Sequence, residues 1–214
     1  MTLPHRLAEY NSPEGAREYL EEYQKLHRRF SDARERRVLA RFLARMEALE
    51  TALDLPCGWG RYLPFLRQKA PRVVQADYSG EMLRLGSRLL ADTPVLGRLR
   101  ASGTDIPLAD RCVDLVFSMR LSHHLADPAQ RRRHLDEILR VARHYVVFSY
   151  FDAGTLKNRL RRLRARFSPR KPKNTLTRAM VEDQLRAAGF QVLAAPLLFP
   201  LGSGHRLVFA ERVR

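Results

Sequence analysis

A chain of 214 residues, 45% of them hydrophobic, suits one α/β domain, is short for two, and is too apolar for a disordered tail. Its 39 Lys and Arg against 23 Asp and Glu give a net charge of +16, which bears on partners and not on fold. That excess points to nucleic acid, an anionic membrane surface or an acidic substrate, and heavy arginine usage on an ordinary enzyme explains it equally well. No apolar run approaches the ~20 residues of a membrane-spanning helix. The start, Met1 to Arg6, lacks the apolar segment of a signal peptide, so a cytoplasmic location is expected. Cys57 and Cys112 sit in apolar, strand-like surroundings and read as reduced core residues, without zinc-ligand spacing.

The first ~50 residues are helical by pattern. Ser12 followed by Pro13 is a helix start, because proline's missing N–H costs nothing in the first turn. Ala16, Tyr19, Leu20, Tyr23, Leu26 and Phe30 then recur on one face. Ser31 and Asp32 offer a second cap, after which Val38, Leu39, Phe42, Leu43, Met46 and Leu49 repeat the spacing. Residues 1–50 are thus expected to form a helical lid or flank, and Tyr10, Tyr19 and Tyr23 either line a cavity or pack as ordinary helix residues.

From Thr51 strands and helices alternate. Strands are expected at 52–55, 72–76, 95–101, 113–118, 144–150, 190–195 and 206–212, and helices at 61–69, 79–90, 128–142 and 177–188. Residues 113–118 are near-continuously apolar, as in a parallel strand buried on both faces. This order predicts an α/β fold with a doubly wound, mostly parallel seven-stranded sheet over 51–214. The last two strands lie too close together for a helix between them, so that pair should be antiparallel.

In an open α/β sheet, ligands bind beyond the carboxyl ends of the strands, where strand order reverses. The segment expected there is Leu53-Asp54-Leu55-Pro56-Cys57-Gly58-Trp59-Gly60-Arg61. Gly58 and Gly60 remove side chains where a ligand must lie against main chain, and the following helix offers free N–H groups. A nicotinamide or flavin site is excluded, because the third glycine of Gly-x-Gly-x-x-Gly is Leu63. Asp77 ends the next strand, where a carboxylate's two oxygens suit both hydroxyls of a ribose.

These residues resemble the class I (Rossmann-like) SAM-dependent methyltransferases. Asp54, Gly58 and Gly60 match the family's Asp-x-Gly-x-Gly-x-Gly, with Pro56 in place of the first glycine. Ser79-Gly80-Glu81-Met82-Leu83 is similar to its next helix start, and Gly103-Thr104-Asp105-Ile106-Pro107-Leu108 to its adenine-reading loop. The stretch from Val113 to Ser118 and on through His123-His124-Leu125-Ala126-Asp127-Pro128 resembles the fourth strand and exit loop of the ubiquinone-biosynthesis type. The resemblance implies S-adenosylmethionine (SAM) as cofactor, no metal, and a donor site of Asp54, Pro56, Cys57, Gly58, Gly60, Asp77, Tyr78, Asp105 and Ile106. Asp105 would accept from the adenine amine, and Ile106 would supply a backbone N–H and an apolar wall.

Methyl transfer from a sulfonium asks chiefly for positioning, and for a general base only if the acceptor must lose a proton. His123 and His124 are the candidates. His123 is expected to face the acceptor, and His124 to pack against the sheet. Trp59 either shields the donor or fills space under the first helix. The insertion over 151–175 carries Leu156, Leu160, Leu163 and Phe167 on one stripe with cations around it. Such a helix can lie on an anionic membrane, at the inner membrane surface, or dock on an acidic partner. It can also cover the site with its stripe turned inward. The acceptor expected is a small or lipid-linked molecule. An RNA methyltransferase gripping phosphates with the basic helix is the first rival, disfavoured because Ser118-Met119-Arg120-Leu121 stands where a base-amine box would follow the fourth strand. A catalytically silent partner-binding protein is the second.

Overall fold

In a computed structural model, the structure describes residues 11–24, 26–165, 167, 173–199 and 202–213, without the side chains of 22–29. Tyr10 and the side chain of Tyr23 lie outside it. The chain runs α1 (Pro13–Gln24), α2 (Leu26–Leu43), β1 (Thr51–Asp54), α3 (Leu63–Leu66), β2 (Arg72–Asp77), α4 (Gly80–Leu89), β3 (Gly97–Arg100), β4 (Val113–Ser118), a 3-10 turn (Ser122–His124), α5 (Pro128–Val141), β5 (Ala142–Phe151), α6 (Leu156–Ala165), α7 (Arg178–Ala187), β6 (Phe190–Ala194) and β7 (His205–Arg212).

The seven strands are ordered β3-β2-β1-β4-β5-β7-β6. Pairs among β1 to β5 are parallel, whereas β7 runs antiparallel to both β5 and β6. Strand order reverses between β1 and β4, so a crevice opens at their carboxyl ends. Alternation sends the two faces of the sheet into two cores. Leu53, Val116, Val146, Phe148 and Val208 pack with Leu135 and Ile138 of α5 and Val181 and Leu185 of α7. Ala52, Leu115, Phe117, Val147 and Phe209 pack with Leu39, Phe42 and Leu43 of α2 and Leu63 and Leu66 of α3. Every residue of β4 is buried, as a strand covered on both faces requires.

Helix starts follow their side chains. Ser79 accepts from Met82 N at 3.1 Å, Asp127 from Ala129 N at 2.9 Å and Thr177 from Met180 N at 3.2 Å, each cap worth about 1 kcal/mol. Three expectations need correction. Ser31 and Asp32 are no cap but lie inside α2, where the Asp32 carboxylate is engaged by Arg36 at 2.8 Å and Arg61 at 2.6 Å. The helix expected at 61–69 contracts to α3, because successive turns bond Gly60 N to Cys57 O and Leu63 N to Gly60 O, both at 2.9 Å. Neither cysteine lies in a strand: Cys57 is buried in the loop after β1, and half-buried Cys112 precedes β4; both are free thiols.

Candidate functional site

The loop leaving β1 is pinned to both neighbouring strands. Leu55 N donates to Phe117 O and Cys57 N to Ala76 O, both at 2.9 Å. Gly58 (φ +56°) turns the chain in a left-handed conformation, and a Cβ there would meet nothing nearer than Tyr19 at 3.9 Å, so the space above it is open. Its N–H donates to Asp77 Oδ2 at 2.8 Å, while Ser79 N donates to Asp77 Oδ1 at 2.8 Å. Each carboxylate oxygen keeps a second lone pair. Burial raises the Asp77 pKa, and the backbone donors of Ser79, Gly58 and Tyr78 oppose the rise.

A cleft opens over this loop. Pro56, Cys57, Gly58 and Trp59 form one wall; Asp77, Tyr78 and Met82 the next; Ala101 and Gly103, after β3, a third. Met119, Arg120, Leu121 and His124, beyond β4, complete it with Tyr19 of α1 and the pair Arg61 and Tyr62.

Four residues of the expected donor site are not on its surface. Asp54 lies beneath it, fully buried, with both carboxylate oxygens lacking a hydrogen-bond partner among the described residues. Burial pushes its pKa well up, against the pull of Arg61 and with the push of Asp77. Gly60 (φ +84°) serves the sheet, since a Cβ there would lie 2.5 Å from Gln75 Nε2. Asp105 is turned out by the bridge between Ser102 and Asp105, with its side chain 84% exposed and 3.9 Å from Arg133. Ile106 is buried, and its N–H is taken by Glu137 Oε2 at 2.7 Å. Gly103 lines the cleft in their stead, held by His134 Nδ1 on its carbonyl at 2.8 Å. Because a carbonyl only accepts, Nδ1 carries the proton, and Nε2 accepts from the Ser118 hydroxyl at 3.2 Å. Burial lowers the His134 pKa and keeps the ring neutral.

The histidine pair is placed the opposite way from expectation. His124 lines the cleft. The His123 ring packs tilted against Phe151 at 4.6 Å, its carbonyl accepts from Asn174 Nδ2 at 2.9 Å, and burial holds its pKa well below the usual value.

Sequence reasoning missed a charged network behind the cleft. Glu35 of α2, fully buried, accepts from Arg61 Nη2 at 2.8 Å, from Arg120 Nη2 at 2.6 Å and from the Tyr62 hydroxyl. His205 Nδ1 stands 3.9 Å away. Burial would raise the Glu35 pKa, but Arg120 and Arg61 together hold it at about 2. Arg120 adopts φ +65° at the end of β4, with its N–H donated to Ser149 Oγ at 2.9 Å. One signal was available: Glu35 continues the stripe of Leu39, Phe42 and Leu43 by one turn, so it belongs to the buried face of its helix.

This strand order, with a glycine-turned loop at the switch point and a carboxylate ending β2, defines an α/β chain with the fold of the class I SAM-dependent methyltransferases. Residues 53–148 match the family described as methyltransferase domain. The chain is 37% identical over 92 residues to a demethylmenaquinone methyltransferase of Clavibacter sepedonicus, a match covering 43% of this chain and only 36% of that one. Among solved structures, magnesium protoporphyrin IX methyltransferase of Synechocystis with bound S-adenosylhomocysteine (SAH) superposes with a TM-score of 0.76 at 14% identity, covering 95% of this chain and 96% of that one. The N-methyltransferase NodS of Bradyrhizobium japonicum, also with SAH, superposes with a TM-score of 0.68 at 13% identity, covering 86% and 88%.

Proposed function

We propose that the protein transfers a methyl group from SAM to a small-molecule or lipid-linked acceptor. The observation that carries this is Asp77, whose carboxylate closes the cleft floor while holding Gly58 and Ser79, with lone pairs left for the two hydroxyls of a ribose. SAM supplies a methyl group already activated on a sulfonium. The residues fit that group. Gly58 leaves room for a ligand against main chain, and Asp54, without a hydrogen-bond partner among the described residues, lies beneath the loop that would hold the methionine tail. Pro56, Cys57 and Trp59 flank that tail, Tyr78 and Met82 the nucleoside, and Ala101 with Gly103 the purine edge.

The chain's own contribution is position. Tyr19, Tyr62, Met119 and Leu121 exclude water from the far half of the cleft, which suits an apolar acceptor. His124 is the group there able to take a proton from an acceptor hydroxyl, and the His123 ring packs against it at 4.2 Å. Arg120, anchored through Glu35, suits an acceptor that carries negative charge. The relatives' names point the same way, since a demethylmenaquinone and a magnesium protoporphyrin are small molecules. We also propose that α1 and α2 form a lid, that the enzyme is cytoplasmic, and that it makes peripheral contact with an anionic inner membrane surface. No helix among the described residues is long and apolar enough to cross a membrane.

The test is transfer of labelled methyl from SAM in the presence of cell extract. Label should appear in the organic-soluble fraction, with little dependence on salt. Label in RNA, falling steeply as salt rises, would establish the rival acceptor instead.

A further inference from the structure

α6 is turned inside out. Its buried residue is Asn158, which donates from Nδ2 to Asp152 O at 2.8 Å and Gly204 O at 3.3 Å. Its leucines face solvent: Leu156, Leu160 and Leu163 are 67%, 43% and 52% exposed, and Phe167 just beyond is 86% exposed. At 3.6 residues per turn the three leucines share one stripe, and Asn158 lies on the opposite side. Lys157 and Arg164 flank the stripe on one side and Arg159 on the other, among five cations and no acid in the helix. A surface helix ordinarily turns such a stripe to its own core.

We infer that α6 inserts this stripe into the interface of an anionic lipid bilayer. The occupant must be apolar beneath and negative at its surface. A second copy of the helix would set five cations against five, and a nucleic acid offers phosphates but nothing for leucines to enter. An anionic bilayer satisfies both, because the long Lys and Arg stems reach headgroups while the leucines enter the acyl boundary. A second cleft beside the helix has Arg159 and Arg162 in its lining, together with Arg178 and Arg206, which are paired with Glu182 and Asp152. The inference deepens the methyl-transfer reading and rests on it for one consequence. α6 follows the carboxyl end of β5, the edge on which the donor cleft opens, so docking brings that edge to the bilayer and a lipid-soluble acceptor meets the cleft there.

The test is co-sedimentation of the full chain with vesicles of mixed phosphatidylglycerol and phosphatidylcholine, against phosphatidylcholine alone. SAH affinity is measured calorimetrically on every variant. Wild type should bind the anionic vesicles, more weakly as salt rises. Joint Leu156→Ser, Leu160→Ser and Leu163→Ser should weaken that binding by about tenfold or more with SAH affinity unchanged. Arg159→Glu with Arg164→Glu should do the same, and decides the matter if the leucine variant fails to fold. Absence of vesicle binding by wild type, or its persistence in both variants, overturns the inference. So does a wild-type dimer that the leucine variant dissolves without any vesicle binding. Vesicle binding without SAH binding would sink the methyl-transfer reading and leave the docking intact.

Discussion

Asp77 shows how one side chain both shapes and equips a site. Its two oxygens fix the turn at Gly58 and the start of α4, and the residue also lines the cleft. Asp77→Asn sets an amide N–H against a backbone N–H and removes the charge. SAH affinity should therefore fall about 10–100-fold, the range for hydrogen bonds to a charged group, as calorimetry would measure. The two histidines separate under the same logic. His124→Ala should lower turnover on a hydroxyl acceptor by about 100-fold or more with SAH affinity retained, in steady-state kinetics. His123→Ala removes a ring packed on Phe151 and should instead lower stability by about 1–3 kcal/mol in denaturant titration. Asp77 was legible because a strand pattern ends on it and the Ser79 cap follows. Which histidine faces the cleft was not, because it depends on Phe151 of β5, and on Asn174, distant in sequence.

At the scale of elements, period and punctuation carried far: β4 lies where its apolar run does, and the Ser79, Asp127 and Thr177 caps begin the helices they announce. Legibility ended where a tertiary partner decides. Asp32 reads as a cap until Arg61, distant in sequence, takes its carboxylate. Asp105 reads as a ligand until the bridge from Ser102 turns it outward. Gly86, inside α4, tests the same competition. Gly→Ala in a helix interior is ordinarily favourable by about 1 kcal/mol. Here the added Cβ would stand 2.8 Å from the Trp59 carbonyl, backbone of the donor loop. Gly86→Ala should thus lower the melting temperature and weaken SAH binding, despite its better propensity.

Over the whole molecule, the Glu35 network joins the N-terminal helices to the sheet, since its partners come from the loop after β1, the end of β4 and β7. It also sets a pH response. His205 is held neutral by burial, its pKa lowered from 6.5 to about 4, so the unfolded chain binds its proton first. The stability contributed by the neutral ring is complete above pH 6.5 and is lost as pH falls towards 4, with a slope of up to about 1.4 kcal/mol per pH unit. Glu35, lowered from 4.5 to about 2, extends the loss below pH 4.5. His205→Asn should flatten the first part of that acid limb in denaturant titrations at stepped pH. The excess positive charge was plain from composition, but its use was not: only the outward turn of Leu156, Leu160 and Leu163 distinguishes a docking face from a solvated one.

The proposed function depends on SAM binding in the cleft between the β1 loop and Asp77. Isothermal titration of the purified chain with SAH measures it most directly. Saturable heat for one site per chain is expected, abolished by Asp77→Ala in a protein that still unfolds cooperatively. A flat titration of the folded wild-type chain, or an unchanged one in that variant, would contradict it.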